Sequence, residues 1–452
     1  MTESAIRMQA PYPAPSVAWY ATICLALLYW LSILDRFIIS LMVDPIKRDM
    51  GLTDVQFGLL HGMAFAVTYS LFGLIAGALA DRFSRRWIIF VSVTIWSMAT
   101  AACGMALHYW QLLLARIGVG VGEAGLNPSA TSMLTDLFPR DRLTTAMAVY
   151  SIGATIGSGT AYLFGGMIVD MVAQAPTYAL PLIGEVRSWQ AVFFMIGVPG
   201  VALALIVFTF PEPLRRDRKT VVEKLGFWEG ILGTYKDLLV FIRTQKRFFI
   251  HHYIGFAMAS IVMGGCGVWY PAHMGRTFGW SASQIGLYLG LTLIVSSIVG
   301  KLLCGYAADT LYRRGYRDAQ FRWYGWSLIL AVPFGIAAMQ FTDPYLFLGC
   351  VSIFLVLLAP LPACYIAALN LVTPNELRGA GIAFFSGTAG LVGLAAGPLI
   401  IAFFSDHLYG GNAIGMGMAT TIAICCPIAA TLLLTGCKAM HQAVVSLESA
   451  SQ

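Results

Sequence analysis

Asp35 and Arg36 stand inside an apolar stretch that runs from about Val17 to Val43, and Arg116 and Glu123 interrupt another. Charges within such stretches cost free energy in a bilayer and by default mark a transport pathway or a proton relay. Arg116 and Glu123 are seven residues apart, so a helix carries them on one face, about 10 Å apart along its axis. Two acids and two bases balance at neutral pH. A carboxyl group surrounded by hydrocarbon resists ionisation, and a nearby guanidinium opposes that resistance. A change in pairing geometry therefore loads or unloads a proton. Arginine does not deprotonate in proteins, so Asp35 and Glu123 are the titrating partners. The competing reading is a static ion-pair network that ties two helices together. Apolar packing often stabilises as well as a buried ion pair does, which favours the functional reading. Asp35, Arg36, Arg116 and Glu123 are the expected proton-coupling set. Arg36, Arg116 and Glu123 are also the expected substrate contacts, since guanidinium groups suit an anionic headgroup.

A second constellation occurs twice. "GALADRFSRR" spans Gly77 to Arg86 and "GYAADTLYRR" spans Gly305 to Arg314. Gly77, Asp81, Arg85 and Arg86 correspond to Gly305, Asp309, Arg313 and Arg314 at an offset of 228 residues, about half the chain. Each copy closes the second helix of its half. An Asp there pairs with Arg groups and with a neighbouring helix end, and Gly allows close backbone approach. Both copies are expected to act as gate latches. Plain orientation by positive charge needs no Gly or Asp at fixed offsets.

The elements that carry these residues are membrane helices. Of 452 residues, 58% are hydrophobic and 11% charged, and the mean hydropathy is +0.75; a soluble domain carries about 25% charged residues. Segments of about 20 mostly apolar residues suffice to span a bilayer. Twelve fit, at about 17–43, 54–79, 87–108, 111–137, 143–172, 189–210, 248–274, 282–308, 323–341, 345–371, 379–404 and 413–437. The expected fold is an all-α membrane protein of two pseudo-symmetric six-helix bundles, 1–210 and 248–437, with a linker at 211–247 and a cytoplasmic tail at 438–452. Internal repeats of this kind build many secondary transporters. The linker is basic, with Arg215, Arg216, Arg218, Lys219 and Lys224 near its start, and fits a surface loop with an amphipathic helix. Bases cluster in the loops after even-numbered helices, which puts both termini in the cytoplasm. The net charge of +6 follows from that distribution and does not call for nucleic acid.

The first repeat resembles the loop signature of the major facilitator superfamily, G-x-L-A-D-R-x-G-R-R, with Ser84 in place of a Gly. "GVGVGEAGLNPSA" from Gly118 to Ala130, "LDRF" at Leu34–Phe37 and "GLLHGMAFAVTYSLFG" at Gly58–Gly73 resemble its spinster-like branch, which includes exporters of lysophospholipid and sphingosine-1-phosphate type lipids. In that branch the matching Asp, Arg and Glu form a protonation-linked switch, so the resemblance implies the same for Asp35, Arg36, Arg116 and Glu123. It implies alternating access, protons and an amphipathic lipid as partners, and surrounding membrane lipids; the short loops and the length of 452 residues suggest a bacterial plasma membrane as the location. Related anion transporters share parts of the pattern, so a carboxylate or sugar acid stays open as substrate. A membrane sensor without transport is a third reading.

The chain has no G-x-x-x-x-G-K-[ST] loop and no H-E-x-x-H pair, which argues against primary active transport and against a metallopeptidase. No cofactor, metal or enzymatic activity is expected. The nine cysteines all lie in apolar segments and read as small packing residues. Asn127 and Pro128 are expected to bend the fourth helix. His61, His251, His252 and His273 are expected near membrane edges, with a second titrating group as the alternative for His61. The glycines of the fifth and eleventh helices, among them Gly153, Gly157, Gly387, Gly390, Gly393 and Gly397, are expected to serve close helix packing.

Overall fold

The computed structural model describes residues 12–180, 183–215, 227–411 and 413–450. The chain divides into two compact units, one of residues 1–218 with 274–291, the other of residues 219–273 with 292–452.

The first unit begins with α1 (Pro15–Ile38), started by a proline at its first position, where a missing N–H leaves nothing unsatisfied. A short 3-10 turn, Ile39–Met42, leads into α2 (Val43–Met50), and Gly51 closes it in the left-handed conformation with φ 66°. α3 (Asp54–Gly58) starts in a capping box between Thr53 and Gln56, which satisfies two otherwise orphan backbone donors. A π-helical turn, Leu59–Met63, joins it to α4 (Ala64–Arg82). α5 is Arg85–Cys103, α6 is Tyr109–Glu123 and α7 is Leu126–Leu137. The predicted fourth span is thus broken at Ala124 and Gly125, because Pro128 has no N–H to offer the carbonyl of Ala124. The expected bend is present as a break. α8 (Arg140–Val172) packs along α1.

An antiparallel hairpin, β1 (Thr177–Leu180) with β2 (Gly184–Arg187), follows. It was not expected from the sequence: four-residue strands carry too short a pattern to register against the apolar background. α9 (Ser188–Leu203) and a 3-10 turn, Ala204–Thr209, complete the sixth span.

Glycine dictates how α6 sits. A Cβ at Gly120 would stand 2.2 Å from Thr68 Oγ1 and 2.7 Å from the Phe65 carbonyl oxygen. One at Gly122 would stand 2.4 Å from the Trp96 backbone nitrogen, and one at Gly125 would stand 2.0 Å from Ser92 Oγ. The G-V-G-E-A-G run therefore presses α6 between α4 and α5, and carries Glu123 into the interior with it. Gly153 and Gly157 of α8 meet α1 closely in the same way. Leu25, Leu28, Val93, Trp96, Val119, Ala130 and Met133 belong to the buried core of this unit.

The second unit starts with α10 (Phe227–Thr244) in the linker, whose buried Leu238 packs near Gly381. The linker bases Arg216, Arg218, Lys219 and Lys224 lie outside the described residues. α11 (Lys246–Phe278) and α12 (Ala282–Arg313) are the seventh and eighth spans, and their facing ends, Met274–Leu291, belong to the first unit. α13 (Ala319–Ala338) follows, then α14 (Pro344–Leu358) and α15 (Leu361–Val372). Pro360 and Pro362 break the predicted tenth span between these two helices. α16 (Asn375–Leu391) and α17 (Gly397–Phe403) are joined by a π turn, Val392–Ala396. α18 (Ile414–Ala450) continues well past residue 437, so most of the predicted tail is helix.

Ten helical runs among the described residues are long and apolar enough to cross a membrane. With the split α6–α7 and with α13, whose first turn carries Gln320 and Arg322, the described residues hold the expected twelve spans. His252 has surroundings that the sequence did not indicate. It is buried among Phe248, Phe256, Phe321 and Phe385, with Nε2 2.9 Å from the Tyr365 carbonyl oxygen. His273 is buried as well; His251 is half-buried. On α16, a Cβ at Gly387 or Gly390 would meet nothing within 4 Å, whereas Gly393 and Gly397 touch α11 closely. Only the latter two fit a packing role here. Eight of the nine cysteines are buried and Cys350 is half-buried.

Candidate functional site

The four intramembrane charges come together in the first unit. Glu123, at the last residue of α6, is fully covered and accepts from Arg36 Nη2 at 2.6 Å and from Ser32 Oγ at 2.7 Å, both on Oε2. Ser32 and Arg36 are four apart on α1 and so share a face. Asp35, on the same turn, is 1% exposed and accepts from the Thr100 hydroxyl of α5. The Arg36 guanidinium carbon lies 4.6 Å from the Phe65 ring centre and 5.1 Å from that of Tyr69; the Arg116 guanidinium carbon lies 5.6 Å from the Phe65 ring. One aromatic ring on α4 thus underlies both guanidinium groups, a placement that ring quadrupoles favour.

Arg116 is fully buried, and none of its three guanidinium nitrogens has a hydrogen-bond partner among the described residues. Asp35 Oδ1, Glu123 Oε1 and Arg36 Nε are likewise buried and unpartnered there. Buried polar groups in proteins are otherwise almost always satisfied. The cluster therefore holds unused donors and unused acceptors side by side, the condition under which a proton or a small change of side-chain torsion rearranges the pairing. Sequence reasoning found the four charges and missed Ser32, Thr100, Phe65 and Tyr69. Ser32 sits one turn before Arg36, a spacing visible in the sequence; Thr100 and the two rings carried no signal apart from ordinary membrane-helix composition.

A second polar network continues from Tyr69. Asn127 Nδ2 donates to Tyr69 Oη at 3.2 Å, and Tyr150 Oη donates to Asn127 Oδ1 at 2.5 Å. Tyr150 stacks on Tyr29, with ring centres 5.0 Å apart.

Beyond the C-terminal end of α1, Asp44 and Lys47 of α2, Asp54 of α3 and Arg276 of α11 form a cluster that the sequence did not single out. Arg276 reaches Asp44 at 2.8 Å and Asp54 at 3.0 Å, and Lys47 also pairs with Asp54, whose side chain is fully covered. Nearby, Asp170 accepts from the backbone N–H groups of Ala282 and Ser283 at 3.0 and 2.9 Å. Two acids bracketing the short α2–α3 turn were the available signal, but their partner lies more than 200 residues away.

The two repeats differ. In the first, Arg85 is buried, pairs with Asp136 of α7, and takes Glu212 through its backbone N–H at 2.8 Å. Ser84 donates its hydroxyl to the same Glu212, which accounts for a serine at that position. Arg86 donates to the Phe208 carbonyl at 3.3 Å, and Arg215 caps the end of α4 at the Ala80 carbonyl at 2.7 Å. Asp81 is in α4, but its side chain lies outside the described residues. In the second repeat, Asp309, Arg313 and Arg314 are exposed, and Arg313 makes a hydrogen bond to Thr310. The ion pair in that region is Arg322 with Asp318 at 2.6 Å. A Cβ at Gly77 would make only an ordinary contact with Pro128, and one at Gly305 would meet nothing within 4 Å, so neither glycine is required by close packing here.

Among the described residues no group of three or more His, Cys, Asp or Glu side chains forms a metal site.

The profile of the Major Facilitator Superfamily matches residues 25–398. An MFS-type efflux pump of Mycolicibacterium smegmatis is 27% identical over 90% of this chain and 90% of its own length. A hexuronate transporter of Bacillus subtilis is 24% identical over 83% of this chain and 85% of its own. Protein spinster homolog 1 of Xenopus tropicalis is 25% identical over 87% of this chain and 74% of its own. The crystal structure of a bacterial homolog to the human lysosomal transporter Spinster, inward-facing and unoccupied, aligns with a TM-score of 0.78 at 24% identity, covering 96% of this chain and 98% of that one. The profile match over most of its length shows that this chain belongs to the Major Facilitator Superfamily.

Proposed function

We propose that this secondary transporter couples protons to alternating access through Asp35, Arg36, Arg116 and Glu123, and that it moves an amphipathic lysolipid or sphingolipid-like substrate. The observation that carries the reading is the Arg36–Glu123 pair, 2.6 Å apart and within membrane helices, beside an Asp35 and an Arg116 that keep unused polar atoms. Intramembrane charges with alternative partners are the raw material of proton coupling. Protonation of Glu123 weakens its hold on Arg36, and the freed guanidinium becomes available to an anionic headgroup. Arg85 with Asp136 and Glu212 is proposed as a latch at the cytoplasmic end of the first unit, with Gly77, Asp81 and Arg86 around it. Gly305, Asp309, Arg313 and Arg314 form its proposed counterpart in the second unit. Arg276 with Asp44 and Asp54 is proposed as a latch at the opposite end. The proposed location is a bacterial plasma membrane with both termini in the cytoplasm, which the distribution of loop arginines supports.

A lipid substrate is supported by the likeness to spinster proteins and by the second unit, where among the described residues the one buried carboxylate is Asp318, beside the start of α13. Apolar walls suit an acyl chain. A small organic anion is the second reading, favoured by the three unpartnered donors of Arg116 and by the hexuronate-transporter relative. Purified protein in proteoliposomes, given labelled lysophospholipid or labelled hexuronate under an imposed proton gradient, separates the two. Gradient-driven movement of the lysolipid alone supports the first reading. Movement of the hexuronate alone replaces it with the second. Equal rates with and without the gradient remove proton coupling.

A further inference from the structure

His61 lies in the π-helical turn Leu59–Met63, between α3 and α4. It is 5% exposed, stacked on Phe57 with ring centres 6.2 Å apart, and its Nδ1 has no hydrogen-bond partner among the described residues. The imidazole is therefore enclosed by protein. π turns distort a helix at some cost and recur at functional sites. Four residues on, the same helix carries Phe65, the ring beneath both guanidinium groups. The charges that bear on the imidazole are Arg116 of α6 and Arg36 of α1, and the same two helices bring Glu123 and Asp35.

The unpartnered atoms of this cluster are complementary. Arg116 Nε, Nη1 and Nη2 and Arg36 Nε are buried donors without a hydrogen-bond partner among the described residues, and Asp35 Oδ1, Glu123 Oε1 and His61 Nδ1 are buried there without one as well. A neutral imidazole has one donor and one acceptor nitrogen, so with its proton on Nε2 it accepts at Nδ1. The two carboxylates lose most of their attraction for arginine once protonated, and a guanidinium without any acceptor is costly inside a protein. Among the unpartnered buried atoms named here, His61 Nδ1 is the acceptor whose capacity does not depend on the carboxylates' charge.

We propose that His61 is a positioning residue that receives Arg116: when Asp35 and Glu123 take up protons, the Arg116 guanidinium turns and donates to His61 Nδ1, and it returns when they ionise. This rests on the proton-coupled reading above. It makes His61 a stabiliser of the protonated state, so its loss lowers the pH at which the carboxyl groups load.

The test is a pH titration of the full chain in vesicles of neutral phospholipid, following the infrared band of protonated carboxyl groups, with Asp35→Asn and Glu123→Gln used to assign it. His61→Leu removes the acceptor, and His61→Asn keeps an oxygen close to the Nδ1 position. The expected result is a midpoint about one pH unit lower in His61→Leu, a tenfold loss of proton affinity, with His61→Asn close to wild type. His61→Met, a bulkier apolar replacement, carries the same expectation and serves if His61→Leu does not fold. A pH-dependent wild-type band whose midpoint the apolar variants leave in place overturns the assignment of His61 alone, as does an Asn variant shifted as far as the apolar ones. A wild-type protein with no titrating band from Asp35 or Glu123 overturns the proton-coupled reading and this proposal with it.

Discussion

At the scale of single residues, the Arg36–Glu123 pair distinguishes a structural tie from a working part. Removing one partner of a buried pair strands the other, at a cost of about 3–5 kcal/mol, while replacing both by apolar groups is often neutral. Arg36→Leu is therefore expected to lower the thermal unfolding midpoint in detergent, and the double change Arg36→Leu with Glu123→Leu is expected to restore it without restoring transport. A double variant that unfolds as early as the single one contradicts this. All four charges were legible in the sequence because ionic side chains are rare in apolar runs. What they touch was not. Thr100 and Phe65 meet Asp35, Arg36 and Arg116 only through the packing of different helices, and no spacing along one chain segment encodes that.

At the scale of elements, glycine on α6 decides how near Glu123 comes to α1 and α4. A methyl at Gly122 would stand 2.4 Å from backbone of α5, which cannot give way as a flexible side-chain tip does. Gly122→Ala is expected to destabilise by about 1–3 kcal/mol through overpacking, whereas Gly77→Ala, with room for its methyl, is expected to fall within about 0.5 kcal/mol of wild type. Thermal unfolding of the two variants side by side checks this, and equal losses contradict it. The spans themselves were legible because apolar length is a strong signal. Their breaks at Ala124–Gly125 and Ala359–Pro360 were signalled by Pro128 and by Pro360 with Pro362. The hairpin at Thr177–Arg187 was not signalled, and α18 runs past residue 437 because nothing between there and Ala450 ends a helix: the segment has no proline or glycine. The repeat at Gly77–Arg86 and Gly305–Arg314 was legible as spacing, but its pairing was not. Asp136 and Glu212, which engage Arg85, lie outside the motif.

At the scale of the whole molecule, family and fold followed from composition, span count and two motifs, since membrane solvation leaves few architectures for an apolar chain of this length. The substrate did not follow, because a hexuronate transporter and a spinster homologue resemble this chain about equally, at 24% and 25% identity. Both readings propose transport tied to protonation of Asp35 and Glu123, with Glu123 holding the Arg36 pair. The most direct measurement uses proteoliposomes loaded with a pH-sensitive dye, in which substrate flux and proton flux are recorded together for wild type and Glu123→Gln. Wild-type protein is expected to move protons with substrate, and Glu123→Gln, correctly folded, to lose the proton flux and at least tenfold of the gradient-driven substrate flux. A Glu123→Gln variant that keeps both fluxes at wild-type rates would contradict the coupling role of this residue.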